Sequence, residues 1–304
     1  VSGATEARVE AQAKINLRLR ILAREETGYH QLETLFLRLT LADGVVVRPT
    51  RGDRSLDVAG DVDSAAIGPV AANLAWRAAE AYVAATGWPA GFAIELEKRI
   101  PIGGGLGGGS ADAGAVLRAL DTLNPIPIGE TALMGIAQTL GADVPFLTCG
   151  HPYALGWGRG ERLLALEPLP SREVALLLPA FGVNTAAAYG WVADARRLAS
   201  GSQDATGALT AERLSTWESL AGLATNDFQP VVAARHPAIE ALVRALLSAG
   251  CRPALMSGSG SSVFGVLPGH GAAARATLEA GLDTLGARMV LTRTADFVAP
   301  VTVA

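Results

Sequence analysis

From Ala13 to Leu22 apolar and polar residues alternate, with Ile15, Leu17, Leu19 and Ile21 on one face and Lys14, Asn16, Arg18 and Arg20 on the other. A period of two predicts a strand and puts Lys14 and Asn16 on the same side. Taken alone, that side reads as the solvated face of a half-buried strand. Leu35 to Leu41 and Val45 to Val47 predict two further strands joined around Asp43-Gly44, a strong short-range hairpin signal. The pattern then changes to helical spacing. Leu74, Ala75, Ala78, Ala81 and Tyr82 mark a helix from Asn73 to Thr86, with Asn73 as N-cap and Gly87 and Pro89 as its stop. A strand at Phe92 to Leu96 precedes a second helix, Ser110 to Leu123, capped by Ser110 and ended by Pro125. Its stripe is Ala113, Val116, Leu117, Leu120 and Leu123. Thr131 to Leu140 forms a third helix closed by Gly141.

Beyond Cys149 the strand patterns Tyr153 to Trp157 and Val174 to Leu178 suggest a second sheet. Helical patterns follow at Leu214 to Leu223, Pro237 to Ala249 and Ala272 to Leu282, and a strand at Met289 to Thr292. Ala254 to Ser257 and Ser262 to Leu267 flank the turn Ser257-Gly258-Ser259-Gly260-Ser261 and by themselves read as a hairpin. Ser200 to Gly207, rich in Ser, Gly, Gln and Asp, reads as a disordered loop. The elements make an α+β chain. At 304 residues it is expected to form two lobes, 1–155 and 156–304, with the final strand free to return to the first.

Composition narrows the class. Half of the residues are hydrophobic and 18% are charged, which excludes disorder and suits a compact enzyme. A net charge of -4 provides no basic field for nucleic acid. No apolar run is long enough to span a bilayer, so no membrane partner is expected. Cys149 and Cys251 have no metal-ligand spacing and suggest buried thiols in a reducing, cytosolic compartment.

The densest chemical signal is Pro101-Ile-Gly-Gly-Gly-Leu-Gly-Gly-Gly-Ser-Ala-Asp-Ala-Gly114, with six glycines in the seven positions Gly103 to Gly109. So much backbone freedom is costly to order, and a plain connection does not need it. Glycines running into a helix allow backbone N–H groups to converge on an anion, reinforced by the helix dipole. A Walker loop is excluded because no lysine separates Gly109 from Ser110. Gly103, Gly105 and Gly108 meet the dinucleotide spacing, but the preceding strand alternates where that motif expects a continuous apolar run. Two further candidates stay open at this level. Asp143, before Val144-Pro145, suits a helix cap or a catalytic carboxylate, and the Tyr29-His30 pair suits packing or ligand recognition.

Ala13-Lys14-Ile15-Asn16-Leu17, the glycine run, and Ser257-Gly258-Ser259-Gly260-Ser261-Ser262-Val263-Phe264 occur in the order of the galactokinase, homoserine kinase, mevalonate kinase and phosphomevalonate kinase superfamily, which the chain resembles. Gly28-Tyr29-His30, Leu140-Gly141-Ala142-Asp143-Val144-Pro145 and Asn226-Asp227-Phe228 are similar to the members that act on a cytidine-diphosphate-linked methylerythritol. Gln12 stands where those members more often have proline, and the third motif has a Ser-Gly-Ser-Gly form.

The resemblance implies a two-lobe small-molecule kinase that phosphorylates the tertiary 2-hydroxyl of this acceptor with ATP and Mg²⁺ in non-mevalonate isoprenoid synthesis. It makes Asp143 the base, Lys14 its partner, and Asn16 an orienting group for the acceptor. Pro101, Gly103, Gly104, Gly105, Leu106, Gly107, Gly108, Gly109 and Ser110 would hold ATP, with Asn73 near the adenine and Ser110 touching metal or phosphate. No dedicated metal carboxylate is evident. Tyr29 and Tyr189 would stack on the cytosine, His30 would read it, and Thr185 would lie near the phosphates. A ligand-binding sensor would not need the Lys14–Asp143 pair.

Overall fold

The computed structural model describes residues 4–24, 30–60, 68–198, 209–269 and 271–304. Tyr29 and the loop expected at 200–207 lie outside the described residues. Two long strands form the frame of the first sheet: β1 (Ala7–Arg24) pairs antiparallel with β2 (His30–Thr50), Lys14 opposite Arg38 and Asn16 opposite Phe36. Beside them lie β3 (Arg54–Gly60) and, after helix α1 (Leu74–Thr86), strand β4 (Gly91–Lys98). Asn73 caps α1 by accepting from Ala75 N at 2.9 Å, and Gly87 ends it in the left-handed region, as its sequence predicts.

The hairpin expected at Asp43-Gly44 is absent. β2 runs straight through both residues, pairing with β5 (Tyr153–Gly158) along 32–37 and with β4 along 44–50. A turn signal yields here to two successive pairings that keep the strand extended. The polar face of β1 is likewise not solvated, since Lys14, Asn16 and Arg18 are all buried. Helix α2 (Gly108–Leu123) covers one part of this region, and α3 (Glu130–Leu140) and the short α4 (Val144–Thr148) follow it.

β6 (Arg162–Ala165) extends the first sheet through β5. The second sheet has the order β11-β7-β10-β9. It is built from β7 (Glu173–Pro179), β9 (Ala254–Met256), β10 (Val263–Val266) and β11 (Ala287–Arg293). β9 and β10 form the hairpin read from the sequence around the Ser-Gly turn. Between these strands run α5 (Thr185–Leu198), α6 (Trp217–Ala221), the two-residue strand β8 (Thr225–Asn226), α7 (Gln229–Ala233), α8 (Ala238–Ser248) and α9 (Ala272–Leu285). The chain returns to the first sheet as β12 (Thr302–Val303) beside β1. Gln12 secures that return, donating to Phe297 O at 3.3 Å and accepting from Ala299 N at 2.9 Å, a service that proline at this position does not provide.

The core falls into two clusters. The larger joins β1, β2 and β4 to α1 and α2 through Ile15, Leu17, Phe92, Ile94, Tyr82 and Leu117. The smaller joins Ile21, Leu177, Val263, Phe228 and α8. α2 buries the predicted stripe from Ala113 to Leu123, and bare Gly114 lets it pass close to α4, because a Cβ there would overlap the Leu147 carbonyl. That contact brings the residue at the head of α4, Asp143, towards the glycine run.

Candidate active site

The glycine run is a loop whose Gly103, Gly105 and Gly107 have φ of 74°, 75° and 75°, and α2 starts at Gly108. Ser110 is therefore not the N-cap that the sequence predicts. Gly107 holds that position, and Ser110 is the third helical residue. Glycines at 108 and 109 take helical geometry without a side-chain cap, so the turn begins two residues earlier. The first N–H groups of the helix have no intrahelical acceptor and form an anion-binding end.

All three sequence motifs meet at this loop. Lys14 N donates to Leu106 O at 2.9 Å, Ser257 Oγ to Gly105 O at 2.9 Å, and Ser262 N to Gly104 O at 3.1 Å. A Cβ on Gly105 would overlap the Ser257 carbonyl, so glycine there serves the close approach of the Ser-Gly turn as well as the positive φ. Asn226, missed as a site residue by sequence reading, shapes that turn by donating from Nδ2 to Met256 O at 2.7 Å and Gly258 O at 2.8 Å.

Lys14 Nζ lies 2.7 Å from Asn16 Oδ1 and 3.1 Å from Asp143 Oδ2. The Lys14 side chain is 3% exposed and that of Asp143 31%, so the ammonium is enclosed while the carboxylate faces the cavity. Asn16 Nδ2 donates to Thr34 Oγ1 at 2.8 Å, which in turn donates to Arg18 O at 2.8 Å. This relay fixes Asn16 with its oxygen towards Lys14. Asp143 stands at the N-cap position of α4 but makes no capping hydrogen bond. The side chain does not cap the helix and is paired with Lys14.

Three cavities adjoin in series. A cleft of about 230 Å³ is lined by Asn73, Pro101, Gly103 to Gly109, Lys98 and Asp112, so every predicted ATP residue except Ser110 lines it. A central cavity of about 520 Å³ shares Gly103, Gly105 and Gly107 to Gly109 with that cleft and adds Lys14, Asn16, Ser110, Asp143, Thr185 and Tyr189. A groove of about 1400 Å³ continues from it through Ala142, Arg159, Thr185 and Tyr189 to His30, Arg77 and Arg197. Its arginines carry no motif and are visible only in three dimensions.

Thr185 opens α5 and lies 2.8 Å, Oγ1 to Oγ, from Ser259 of the third motif. His30 and Tyr189 stack on each other with ring centroids 4.7 Å apart and planes at 16°. Tyr189 also meets Phe228 edge-on at 4.8 Å. Burial, reinforced by the nearby Asp143 charge, pushes the Tyr189 phenol up to about 12, which keeps it neutral at physiological pH. At the wall of the first cleft, Lys98 is held between Asp43 and Asp112. Burial acts to lower the Lys98 pKa, but the two carboxylates outweigh it and hold it above the usual value. Desolvation pushes Asp112 up to about 7 against the opposing pull of Lys98.

Among the described residues no group of three or more His, Cys, Asp or Glu side chains forms a metal cage. Mg²⁺ ordinarily keeps several waters and binds through substrate phosphates with one or two protein oxygens. The half-buried Ser110 hydroxyl at the head of α2, in the cavity shared with Asp143, fits that modest requirement.

Comparison with known proteins places this geometry in context. Residues 73–151 match the GHMP kinases N terminal domain and residues 205–282 the GHMP kinases C terminal domain. The chain is 38% identical over 269 residues to a 4-diphosphocytidyl-2-C-methyl-D-erythritol kinase of Geobacter sp. (strain M21), covering 88% of this chain and 92% of the relative. It is 41% identical over 295 residues to the enzyme of that name from Anaeromyxobacter dehalogenans, covering 93% and 89%. A crystal structure of 4-(cytidine 5'-diphospho)-2C-methyl-D-erythritol kinase superposes with a TM-score of 0.75 at 36% identity, over 95% of this chain and 99% of the other. A homoserine kinase from Cytophaga hutchinsonii, 18% identical with a TM-score of 0.68 over 100% and 98% of the chains, shares the fold.

Proposed function

The chain belongs to the 4-diphosphocytidyl-2-C-methyl-D-erythritol kinases within the GHMP kinases, and on that premise we propose how its residues phosphorylate the 2-hydroxyl of this acceptor with ATP. The observation that carries the reading is the series of three cavities with the 3.1 Å Lys14–Asp143 pair at the central one. ATP occupies the first cleft, its phosphates on the loop amides and the positive end of α2. The cytidine-diphosphate arm of the acceptor lies in the groove, and its 2-hydroxyl enters the central cavity.

A tertiary hydroxyl is a weak nucleophile because it hardly ionises at neutral pH. Asp143 accepts its proton as the oxygen attacks the γ-phosphorus. The new O–P bond forms while the bond to the bridging oxygen of ADP breaks. Lys14, paired with Asp143 at 3.1 Å, holds that carboxylate in place and stabilises negative charge growing on the attacking oxygen. Asn16, locked by Thr34, holds Lys14 in place and offers the acceptor a polar contact. The Ser110 hydroxyl, together with the ATP phosphates, would hold Mg²⁺, which would supply positive charge to offset that of the phosphates. Thr185 and the groove arginines face the diphosphate, and His30 and Tyr189 supply the aromatic and hydrogen-bonding surface for cytosine.

Among the described residues no helix is long and apolar enough to cross a membrane. The buried free thiols of Cys149 and Cys251 support a reducing, cytoplasmic setting for the reaction. The test is ATP consumption with the cytidine-linked methylerythritol, its uridine counterpart, free methylerythritol, homoserine and mevalonate. Only the first should react efficiently, and equal turnover of free methylerythritol would defeat the assignment of the groove.

A further inference from the structure

Asp43 has the sequence setting of a hairpin turn, yet its side chain is fully buried inside a continuous strand. Its Oδ1 accepts from Arg99 N at 2.5 Å and from Ile100 N at 2.8 Å. Its Oδ2 accepts from Lys98 Nζ, and the same ammonium donates to Asp112 Oδ2 at 2.5 Å. Lys98 ends β4, and Arg99 and Ile100 lead into the glycine loop. Asp112 begins the second turn of α2, the helix that leaves it. A Cβ on Gly108, the first helical residue, would lie 3.6 Å from Asp43 Oδ2, so the carboxylate sits directly under the helix start.

Two carboxylates and one ammonium in the interior are an expensive way to add stability, since desolvation offsets most of the Coulomb attraction. They are an effective way to impose one geometry, because each hydrogen bond is directional and each unmet partner is costly. The loop needs such constraint. Three of its glycines have positive φ, and its amides hold an anion well only if ordered beforehand.

We propose that Asp43 is the positioning residue of the glycine loop, tying the strand that enters it to the helix that leaves it and so setting the affinity for ATP without touching the nucleotide. The proposal rests on the first cleft being the ATP site. Asp43→Asn keeps an acceptor for the two backbone amides but replaces the oxygen facing Lys98 with a donor. It should raise the KM for ATP roughly tenfold or more, while kcat at saturation and the acceptor KM stay within about twofold. Amide hydrogen exchange in residues 99–109 should accelerate while residues 92–96 of β4 keep their protection.

An unchanged ATP KM, or an equal rise in both KM values, overturns the proposal. If Asp43→Asn does not fold, Asp112→Asn takes its place. It should raise the ATP KM roughly threefold or more and loosen the same amides, and a variant that does neither overturns the proposal. Calorimetric titration of the wild-type protein with ATP separates the two levels. A wild type that binds no ATP defeats the reading of the cleft. A wild type that binds ATP beside an Asp43→Asn variant that binds it equally defeats the positioning role alone.

Discussion

Lys14 Nζ stands 3.1 Å from Asp143 Oδ2, one residue on the polar face of β1 and the other at the head of α4. An enclosed ammonium that fixes a more exposed carboxylate is the arrangement expected of a base that must reach a substrate proton in one orientation. Asp143→Asn should lower kcat by roughly 10² to 10⁴ and leave ATP affinity near its wild-type value. Steady-state kinetics and equilibrium binding check this together, and unchanged turnover would make Asp143 a structural residue.

Bulk in the glycine run should have opposite consequences at two positions. A Cβ at Gly109 meets only Leu74 Cδ1 at 3.7 Å, so Gly109→Val should fold with a melting temperature near that of the wild type. Its side chain nevertheless occupies both the nucleotide cleft and the central cavity, and the ATP KM should rise roughly tenfold, a loss of about 1.4 kcal/mol. Gly105→Val, by contrast, should yield little folded protein, because its Cβ overlaps the Ser257 carbonyl at a φ of +75°. Thermal unfolding and nucleotide titration of both variants decide the matter.

Removing the ring of Tyr189 should cost aromatic contact of about 1–3 kcal/mol, which raises the acceptor KM roughly tenfold to a hundredfold. ATP binding should hardly change. Tyr189→Phe keeps the ring that packs on His30 and Phe228 and should stay within about threefold of wild type. A Tyr189→Ala enzyme with a normal acceptor KM would remove the cytosine from this wall of the groove.

The raised pKa of Asp112 has a definite sign in stability. The folded protein holds that proton up to about pH 7, while an unfolded aspartate releases it near its ordinary value of 3.8. Between these values the folded state binds more protons, so the contribution is fully present below the lower value and is lost as pH rises towards the upper one. Melting temperatures of wild type and Asp112→Asn, measured from pH 4 to 8, should show a negative slope in their difference as pH rises. A difference independent of pH would mean that Asp112 is ionised throughout.

Much of this protein is written locally. Glycines running into a helix, an apolar stripe from Ala113 to Leu123, and stops at Gly87 and Gly141 are short-range facts of backbone freedom and periodicity, and the structure carries them. The glycine loop by itself predicted an anion site, and the motifs around Lys14 and Ser257 added a kinase chemistry only through the resemblance of all three, in order, to a known superfamily. What local pattern does not contain is which partner covers a given face. Alternation along β1 is the same whether Lys14, Asn16 and Arg18 meet water or protein, and packing across the sheet buried them. Asp43-Gly44 carries the chemistry of a turn, but long-range pairing of β2 with β4 and β5 kept the strand extended and turned Asp43 inward to Lys98. The start of α2 at Gly108, the His30–Tyr189 stack and the arginines of the groove also depend on contacts between segments far apart in the chain. Burial and charge pairing are properties of neighbours in space, so only the tertiary structure decided them.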